Sequence, residues 1–227
     1  MSGAAIVSAL RPSEYTATLI QALQAEPQRV RGARALEIGS GSGVVLAALG
    51  ALGASALCGV DIEPDAVAAG TELLEQLGFG EIAELHCGDM WLPVAGRRFD
   101  LIVANLPHFP MDPVPVAGRL PTWSSGGADG RWLLDPFLEG LSAHLAPGGR
   151  AVLTHNAFVG LDRSRAIAHG HGLSLRIVHS VQVYIADEKL ARMTPGVLAA
   201  EQGRTLHRYG PYTFGEMHVV EIGRAAE

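Results

Sequence analysis

A chain of 227 residues that is 48% hydrophobic is long enough for one large domain with a full core. Its formal charge of −6, from 17 basic and 23 acidic residues with no block of like sign, offers a polyanion little electrostatic help, so nucleic acid is disfavoured as a partner. No window reaches the length and apolarity of a membrane span, "MSGAAIVSALRPSE" lacks a basic start and a long apolar run, and Cys58 and Cys87 form no CxxC pair; buried free thiols, no membrane and a cytoplasmic location are expected.

Taken in order, "RPSEYT" opens a helix over 14–25, with Pro12 and Ser13 suited to its start. "ARALEIG" (33–39) is a buried strand feeding a helix over 44–53. "ALCGVDI" (56–62) is a second strand, followed by a helix over 64–78 with Pro near its start and Gly at its end. Strands follow at 83–89 and 99–105, then a helix over 131–145 with Pro136 near its first turn. A fifth strand over 148–156 and a helix over 161–170 come next. The ending differs, because 173–185 and 216–223 both have strand composition with about thirty weakly helical residues between them. Alternation followed by two closing strands predicts one α/β domain over 1–227. It has a Rossmann-like, mostly parallel seven-stranded sheet with an antiparallel last strand, an antiparallel edge at its C-terminal end, and helices on both faces. Within it, 11–32 is a helix and cofactor-covering segment and 186–214 an insertion serving as a lid, with Arg208 and Tyr209 reaching toward an acceptor.

Ligands of such sheets bind beyond the carboxyl ends of the strands. The first strand ends in "LEIGSGSG", where Gly39, Gly41 and Gly43 let the backbone turn and approach a ligand, Ser40 lies between, and the next helix offers free N–H groups. A dinucleotide fingerprint would place its third glycine where Val44 stands. Glu37, two residues before the first glycine, suits a cationic ligand better than a pyrophosphate. Asp61 ends the second strand at the spacing where an acid accepts from ribose hydroxyls, with capping of the helix at Pro64 as the plainer alternative. Ile62 is placed to press on an adenine face, Asp89 to accept from its amino group and Met90 to line its pocket. A positively charged nucleoside such as S-adenosyl-L-methionine fits this set.

At these residues the sequence resembles the class I S-adenosylmethionine-dependent methyltransferases, with "LEIGSGSG", "GVDIEPDAV", "GDM" and "FDLIVANLPH" in that family's order and spacing. More narrowly it resembles the branch that methylates the side-chain amide of glutamine in peptide-release factors. That branch's N-P-P-Y/F motif is answered by Asn105-Leu106-Pro107-His108, its segment before the first helix by "RPSEYT" (Arg11–Thr16), and its later glycine run by "GGADG" (126–130). The resemblance implies that Glu37, Gly39, Ser40, Gly41, Gly43, Asp61, Ile62, Asp89, Met90 and Asn105 hold the cofactor, and that Glu14 and Thr16 close over its methionine end. It implies an N-methyltransferase acting on a protein glutamine, while the changed motif and the extra C-terminal segment favour a small metabolite as acceptor; a homodimer or a small partner subunit is a further expectation.

An amide nitrogen is a poor nucleophile because its lone pair is delocalised. If the Asn105 side-chain oxygen and the Leu106 carbonyl hold its two hydrogens, the lone pair can turn toward a methyl group, and positioning of this kind can lower a barrier by about 7–11 kcal/mol. Pro107 stiffens the holder. Leu106 stands where the branch has proline and His108 where it has an aromatic, so stacking, hydrogen-bond donation and proton acceptance stay open for His108, and Phe109 offers an alternative stacking face.

Other features weigh less. His169 and His171 in "HGHG" read as a solvated helix end rather than metal ligands, and no metal is expected. His155 and Asn156 end the fifth strand at the site rim. The stretch 109–130 is too long for a plain connection, with Trp123 either capping the acceptor pocket or packing. A nicotinamide-dependent oxidoreductase and a catalytically silent binding subunit are the rival functions.

Overall fold

The computed structural model describes residues 12–112 and 124–224, so Arg11 and Trp123 lie outside the described residues. Helix α1 (Glu14–Gln24) is followed by strand β1 (Arg34–Ile38), α2 (Val44–Ala51), β2 (Ala56–Asp61), α3 (Pro64–Gln76), β3 (Ala83–Cys87) and β4 (Phe99–Ala104). After the connection come α4 (Leu134–His144), β5 (Leu145–Asn156), α5 (Leu161–Gly170) and β6 (Leu173–Ile185). Short α6 (Asp187–Leu190), α7 (Pro195–Glu201), β7 (Leu206–Tyr209) and the long β8 (Tyr212–Arg224) complete the chain.

The strands form one sheet in the order β3-β2-β1-β4-β5-β8-β6, with short β7 pairing to β8. Strands β1 to β5 run parallel, while β8 is antiparallel to both its neighbours. The fold is Rossmann-like, and the order of the strands reverses between β1 and β4, the crevice where open α/β sheets bind ligands. One detail differs from the sequence expectation: an eighth strand, β7, lies in the insertion. The antiparallel last strand, β8, lies between β5 and β6. Burial explains that order: Met217, Val219, Val220 and Ile222 of β8 are all buried, whereas β6 exposes most of one face. Glu221 of β8 accepts hydrogen bonds from Arg150 of β5 and Arg176 of β6, and from Arg29 below α1, which ties the antiparallel register across three strands.

The core lies on both faces of the sheet. One side packs Leu36, Ile38, Ile102 and Leu153 against Leu134, Phe137, Leu138 and Leu141 of α4. The other packs Ala35, Leu57, Leu101 and Val103 against Leu19 and Leu23 of α1 and Val45, Leu46 and Leu49 of α2. Burial on both faces is why these strands read as continuous apolar runs. Cys58 is buried as expected, but Cys87, at the end of edge strand β3, is exposed. Helix α4 starts three residues later than expected because Arg131 is spent on the turn before it. Its guanidinium donates to the Val159 and Gly160 carbonyls, to Ser164 and to Asp135, tying the glycine run to the start of α5.

The stretch 186–214 packs onto this frame. Met193 and Leu206 are buried in the α4-side core, and Thr194 donates its N–H to the Pro110 carbonyl and its hydroxyl to that of Ala128. Among the described residues no helix is long and apolar enough to cross a membrane.

Candidate methyl-transfer site

A cleft of about 400 Å³ opens over the carboxyl ends of β1, β2, β3 and β4. Its floor is the turn after β1. Gly39 and Gly41 hold φ of +73° and +51°, left-handed values that a side chain resists, and the Gly41 N–H donates to Asp61 Oδ2 at 2.8 Å. A Cβ at Gly39 would touch the Leu106 side chain at 3.4 Å, so this turn lies directly against the segment that follows β4. Gly43 does not line the cleft, contrary to expectation. A Cβ there would meet the Gly70 backbone at 3.0 Å, so this glycine lets α2 approach α3.

Glu37 is buried on the α2 side of β1, facing the cleft. Desolvation, then the neighbouring charge of Asp61, push its carboxyl well above the usual range, opposed only by a hydrogen bond from the Leu46 N–H. Its Oε2 and the Oγ of buried Ser40 have no hydrogen-bond partner among the described residues. Buried polar atoms are normally satisfied, so two orphans on one wall mark a place for a ligand's donors. This is the fit that S-adenosylmethionine demands, since its amino group is a donor and carries positive charge.

Asp61 splits its oxygens between backbone N–H groups, Oδ2 to Gly41 and Oδ1 to Glu63 at 3.0 Å. Each carboxylate oxygen can accept more than one bond, so the second lobe of each remains for a ligand hydroxyl. The helix cap itself is Glu63. Ile62 is 58% exposed and stands at the cleft rim, an apolar surface awaiting cover. Asp89 and Met90 line the same wall. Met90, at φ +46°, is the one non-glycine residue of left-handed backbone among those described, and strain of this kind concentrates at functional sites. Glu14 lines the cleft from the start of α1, and Thr16 reaches Asn105.

The Asn105–His108 segment forms the opposite wall. The Asn105 side chain is clamped at both ends, Nδ2 donating to Thr16 Oγ1 at 3.3 Å and Oδ1 accepting from Thr154 Oγ1 at 2.7 Å. Leu106 turns its side chain into the core, and its carbonyl lies 2.5 Å from His108 Nδ1. His108 Nε2 accepts the backbone N–H of Asn156 at 3.1 Å, so that nitrogen carries no proton and Nδ1–H is the donor to Leu106. Burial lowers the pKa of this ring to about 4, a drop that its bond to the Leu106 carbonyl opposes and that the charges of Lys189 and Arg131 deepen. His108 is therefore neutral at pH 7 with both nitrogens engaged. Proton acceptance, one of the roles left open by the sequence, is closed in this arrangement. The two oxygens expected to hold an acceptor nitrogen, Asn105 Oδ1 and the Leu106 carbonyl, are each gripped by one protein donor.

Residues beyond the sequence motifs complete the wall. Tyr15, inside "RPSEYT", donates its hydroxyl to Asn156 Oδ1 at 2.7 Å, while burial pushes its pKa well above the usual phenol value. Asn156 thus joins α1 to the His108 ring, and buried His155 beside it is occupied with Ser164 at 2.8 Å. Thr154 carried no motif signal, although counting by two along β5 puts it on the same strand face as Asn156. The "GGADG" run presses on the same segment from behind. A Cβ at Gly126 would stand 2.7 Å from His108 Cα, and one at Gly130 would stand 2.7 Å from the His108 carbonyl oxygen. The insertion contributes Lys189 to the cleft, while β6 contributes Val183 and Tyr184. Arg208 and Tyr209, expected to reach the acceptor, are exposed; Arg208 turns back to the Gly210 carbonyl. His169 and His171 are exposed at the end of α5. Among the described residues the one cluster at metal-ligand spacing is Cys58, Glu84 and His86, where Arg97 already pairs with Glu84.

A family model described as "Methyltransferase domain" matches residues 35–119, which hold the whole glycine turn, Asp61, Asp89 and the Asn105–His108 segment. Human methyltransferase HEMK2 is 35% identical over 150 residues, covering 61% of this chain and 67% of that protein. This chain belongs to the class I S-adenosylmethionine-dependent methyltransferases. The release factor glutamine methyltransferase of Cereibacter sphaeroides is 32% identical to this methyltransferase over 166 residues, 70% of the chain and 56% of the relative. The chain spans about half the length of the release-factor relatives that it matches. The solved Mtq2–Trm112 complex of E. cuniculi, described as methylating the termination factor eRF1, shares the fold. Its TM-score is 0.59 at 17% identity, over 95% of this methyltransferase and 98% of that chain. Membership sets aside the nicotinamide reading, in keeping with Val44 where a dinucleotide fingerprint has glycine.

Proposed function

We propose that this methyltransferase transfers a methyl group to the side-chain amide nitrogen of a protein glutamine. The observation that carries the reading is the pair of acceptor oxygens at the end of β4, Asn105 Oδ1 and the Leu106 carbonyl, steadied by Thr154 and His108 respectively. Relatives named as release factor glutamine methyltransferases support the amide as the acceptor group.

When bound, S-adenosylmethionine would supply an electrophilic methyl to the acceptor nitrogen's lone pair, with the C–S bond pair going to sulfur and the nitrogen's surplus proton going to solvent. Glu37, Ser40 and the Gly39–Gly41 turn hold its methionine part, with Glu14 and Thr16 closing over them. Asp61 takes the ribose hydroxyls, and Ile62, Asp89 and Met90 hold the adenine. The rest of the work is positioning. Asn105 and Leu106 each accept one hydrogen of the amide, which turns its lone pair out of conjugation and toward the methyl. Pro107 keeps the two oxygens at a fixed spacing. No side chain acts as a base on the way to attack, which agrees with a neutral, fully engaged His108. The segment 186–214 roofs the acceptor end through Lys189, and a small partner subunit, as in the Mtq2–Trm112 complex, is part of the same proposal.

The test is incubation of the protein with methyl-labelled cofactor and host extract, followed by separation of protein, RNA and metabolites and by mass mapping of the labelled residue. Label on a glutamine side chain is the expected result. Label confined to RNA or to small molecules would refute the glutamine acceptor, and cofactor binding with no label anywhere would make this a silent binding subunit.

A further inference from the structure

A second cavity, of about 370 Å³, opens at the opposite end of the sheet from the methyl-transfer cleft. Arg29, Arg31 and Gly32 line it from the connection between α1 and β1, Asp100 from the start of β4, and Gly148 and Arg150 from β5. The two glycines leave its walls open, since a Cβ at either would meet nothing within 4 Å.

The charge around this cavity does not balance. Arg29 and Arg150 donate from Nη1 to one and the same oxygen, Glu221 Oε2, at 2.8 and 2.9 Å, and Arg176 donates to Oε1. Glu26 is the other acid in reach, 2.9 Å from Arg29 and 4.0 Å from Arg150. Asp100 does not offset the rest, because both its oxygens are taken by Arg34. Arg31 is exposed, and among the described residues its side chain has neither a hydrogen bond nor an ion pair. Four guanidinium groups therefore face two carboxylates, an excess of two positive charges. Arg150 is the least satisfied of the four. Its side chain is only 9% exposed, and its Nη2 is buried with no hydrogen-bond partner among the described residues. Burial, and then the charge of Arg29, pull its pKa below the usual guanidinium value, with Glu221 opposing. Like charges gathered around a buried, unsatisfied donor are costly unless an anion joins them.

We propose that this cavity binds a phosphate dianion, held by Arg29 and Arg31 at its mouth, with Arg150 supplying buried charge behind them. Two negative charges match the excess of two, and guanidinium forks suit the oxygens of a phosphoryl group. The cavity has room beyond one phosphate, so the free ion and the phosphoryl group of a small metabolite share the chemistry it selects. The site is remote from the cofactor cleft and stands whether or not the glutamine reading does.

Calorimetric titration of the full chain at pH 8 and constant ionic strength, with inorganic phosphate and with glycerol 3-phosphate, tests the proposal. At least one probe should bind saturably and one to one, while acetate at the same ionic strength should not. Tighter binding of inorganic phosphate assigns the site to the free ion, and tighter binding of the ester assigns it to a phosphorylated metabolite. Arg31→Gln breaks no contact within the described residues and should weaken binding about tenfold, the effect of one charge-assisted hydrogen bond, with the thermal melt unchanged. Arg208→Gln, on the far strand β7, should leave binding intact. Saturating S-adenosylhomocysteine should leave it intact too. Absence of saturable binding by both probes, or full affinity in Arg31→Gln, would overturn the proposal. Displacement of phosphate by S-adenosylhomocysteine would do the same, by placing the anion in the methyl-transfer cleft.

Discussion

His108 and Leu106 are joined across two residues of the same segment, the imidazole N–H of one donating to the carbonyl of the other at 2.5 Å while Asn156 holds the ring from behind. Where the related motif has its first proline to stiffen the backbone, this chain has Leu106 and a hydrogen-bonded strut. The aim of one acceptor oxygen thus depends on a side chain.

His108→Ala should therefore lower kcat by about tenfold, the equivalent of one aligning hydrogen bond, with S-adenosylhomocysteine affinity little changed. It also leaves the buried Asn156 N–H without an acceptor, which should destabilise the fold by about 1–3 kcal/mol. Steady-state kinetics and urea melts on the same sample check both. An unchanged kcat would mean that the carbonyl needs no strut.

The buried rings also set an expectation for pH. His108 is lowered to about 4 and His155 to about 3, both chiefly by burial, against about 6.5 for an unfolded histidine. The folded state binds fewer protons than the unfolded state between those values. The share of stability due to these rings is complete above about pH 6.5 and is lost as pH falls through about 4 and then 3. Histidine C2–H resonances followed by NMR should show two rings that do not titrate above about pH 5. The kcat profile should carry no inflection near pH 6.5 from His108, and one assigned to that ring would restore it as a base.

Asn105→Ala removes an acceptor oxygen outright and should lower kcat by about 10²–10³, the usual effect of deleting one preorganised contact at a reacting centre. Thr154→Val leaves that oxygen in place but unsteadied, and about tenfold is expected from one lost hydrogen bond. Titration with S-adenosylhomocysteine should find near-native affinity in both variants. Should affinity collapse with activity in Asn105→Ala, the side chain holds the structure together rather than the acceptor.

Gly130→Ala should couple the glycine run to the site. A Cβ there would lie 2.5 Å from Val159 Cγ1 and 2.7 Å from the His108 carbonyl oxygen, at a φ of +77°. Gly148→Ala is the control, with a φ of +72° and nothing within 4 Å of its Cβ. Backbone strain should cost about 1–2 kcal/mol in each, and overpacking a further 1–3 kcal/mol or so in Gly130→Ala alone. Thermal melts give the stability difference, and only Gly130→Ala should also lose kcat. Equal effects would show that the run packs without guiding His108.

Much of this was decided locally and so was legible from residues alone. The α5 helix and the β6 strand begin and end where periodicity and composition place them, because their boundaries depend on neighbours a few residues away. Glu37, Gly39, Gly41, Asp61, Asp89 and Asn105 could be singled out for the same reason, since each sits where an apolar strand stops and a turn begins, and all six line the one cleft. What tertiary structure alone decided involves partners far apart in the chain. The insertion of β8 between β5 and β6 depends on two-sided burial and on Glu221 meeting three arginines. The grip of Thr154 on Asn105, the link from Tyr15 through Asn156 to His108, and the arrival of Lys189 over Phe109 all join strand ends and loops separated by dozens of residues. No spacing rule along the chain encodes such meetings, because strand order and the packing of side chains between strands set them. Gly43 shows the same division: the chain marks it as a glycine of the ligand turn, and only the approach of Gly70 reveals that its missing side chain makes room for a helix.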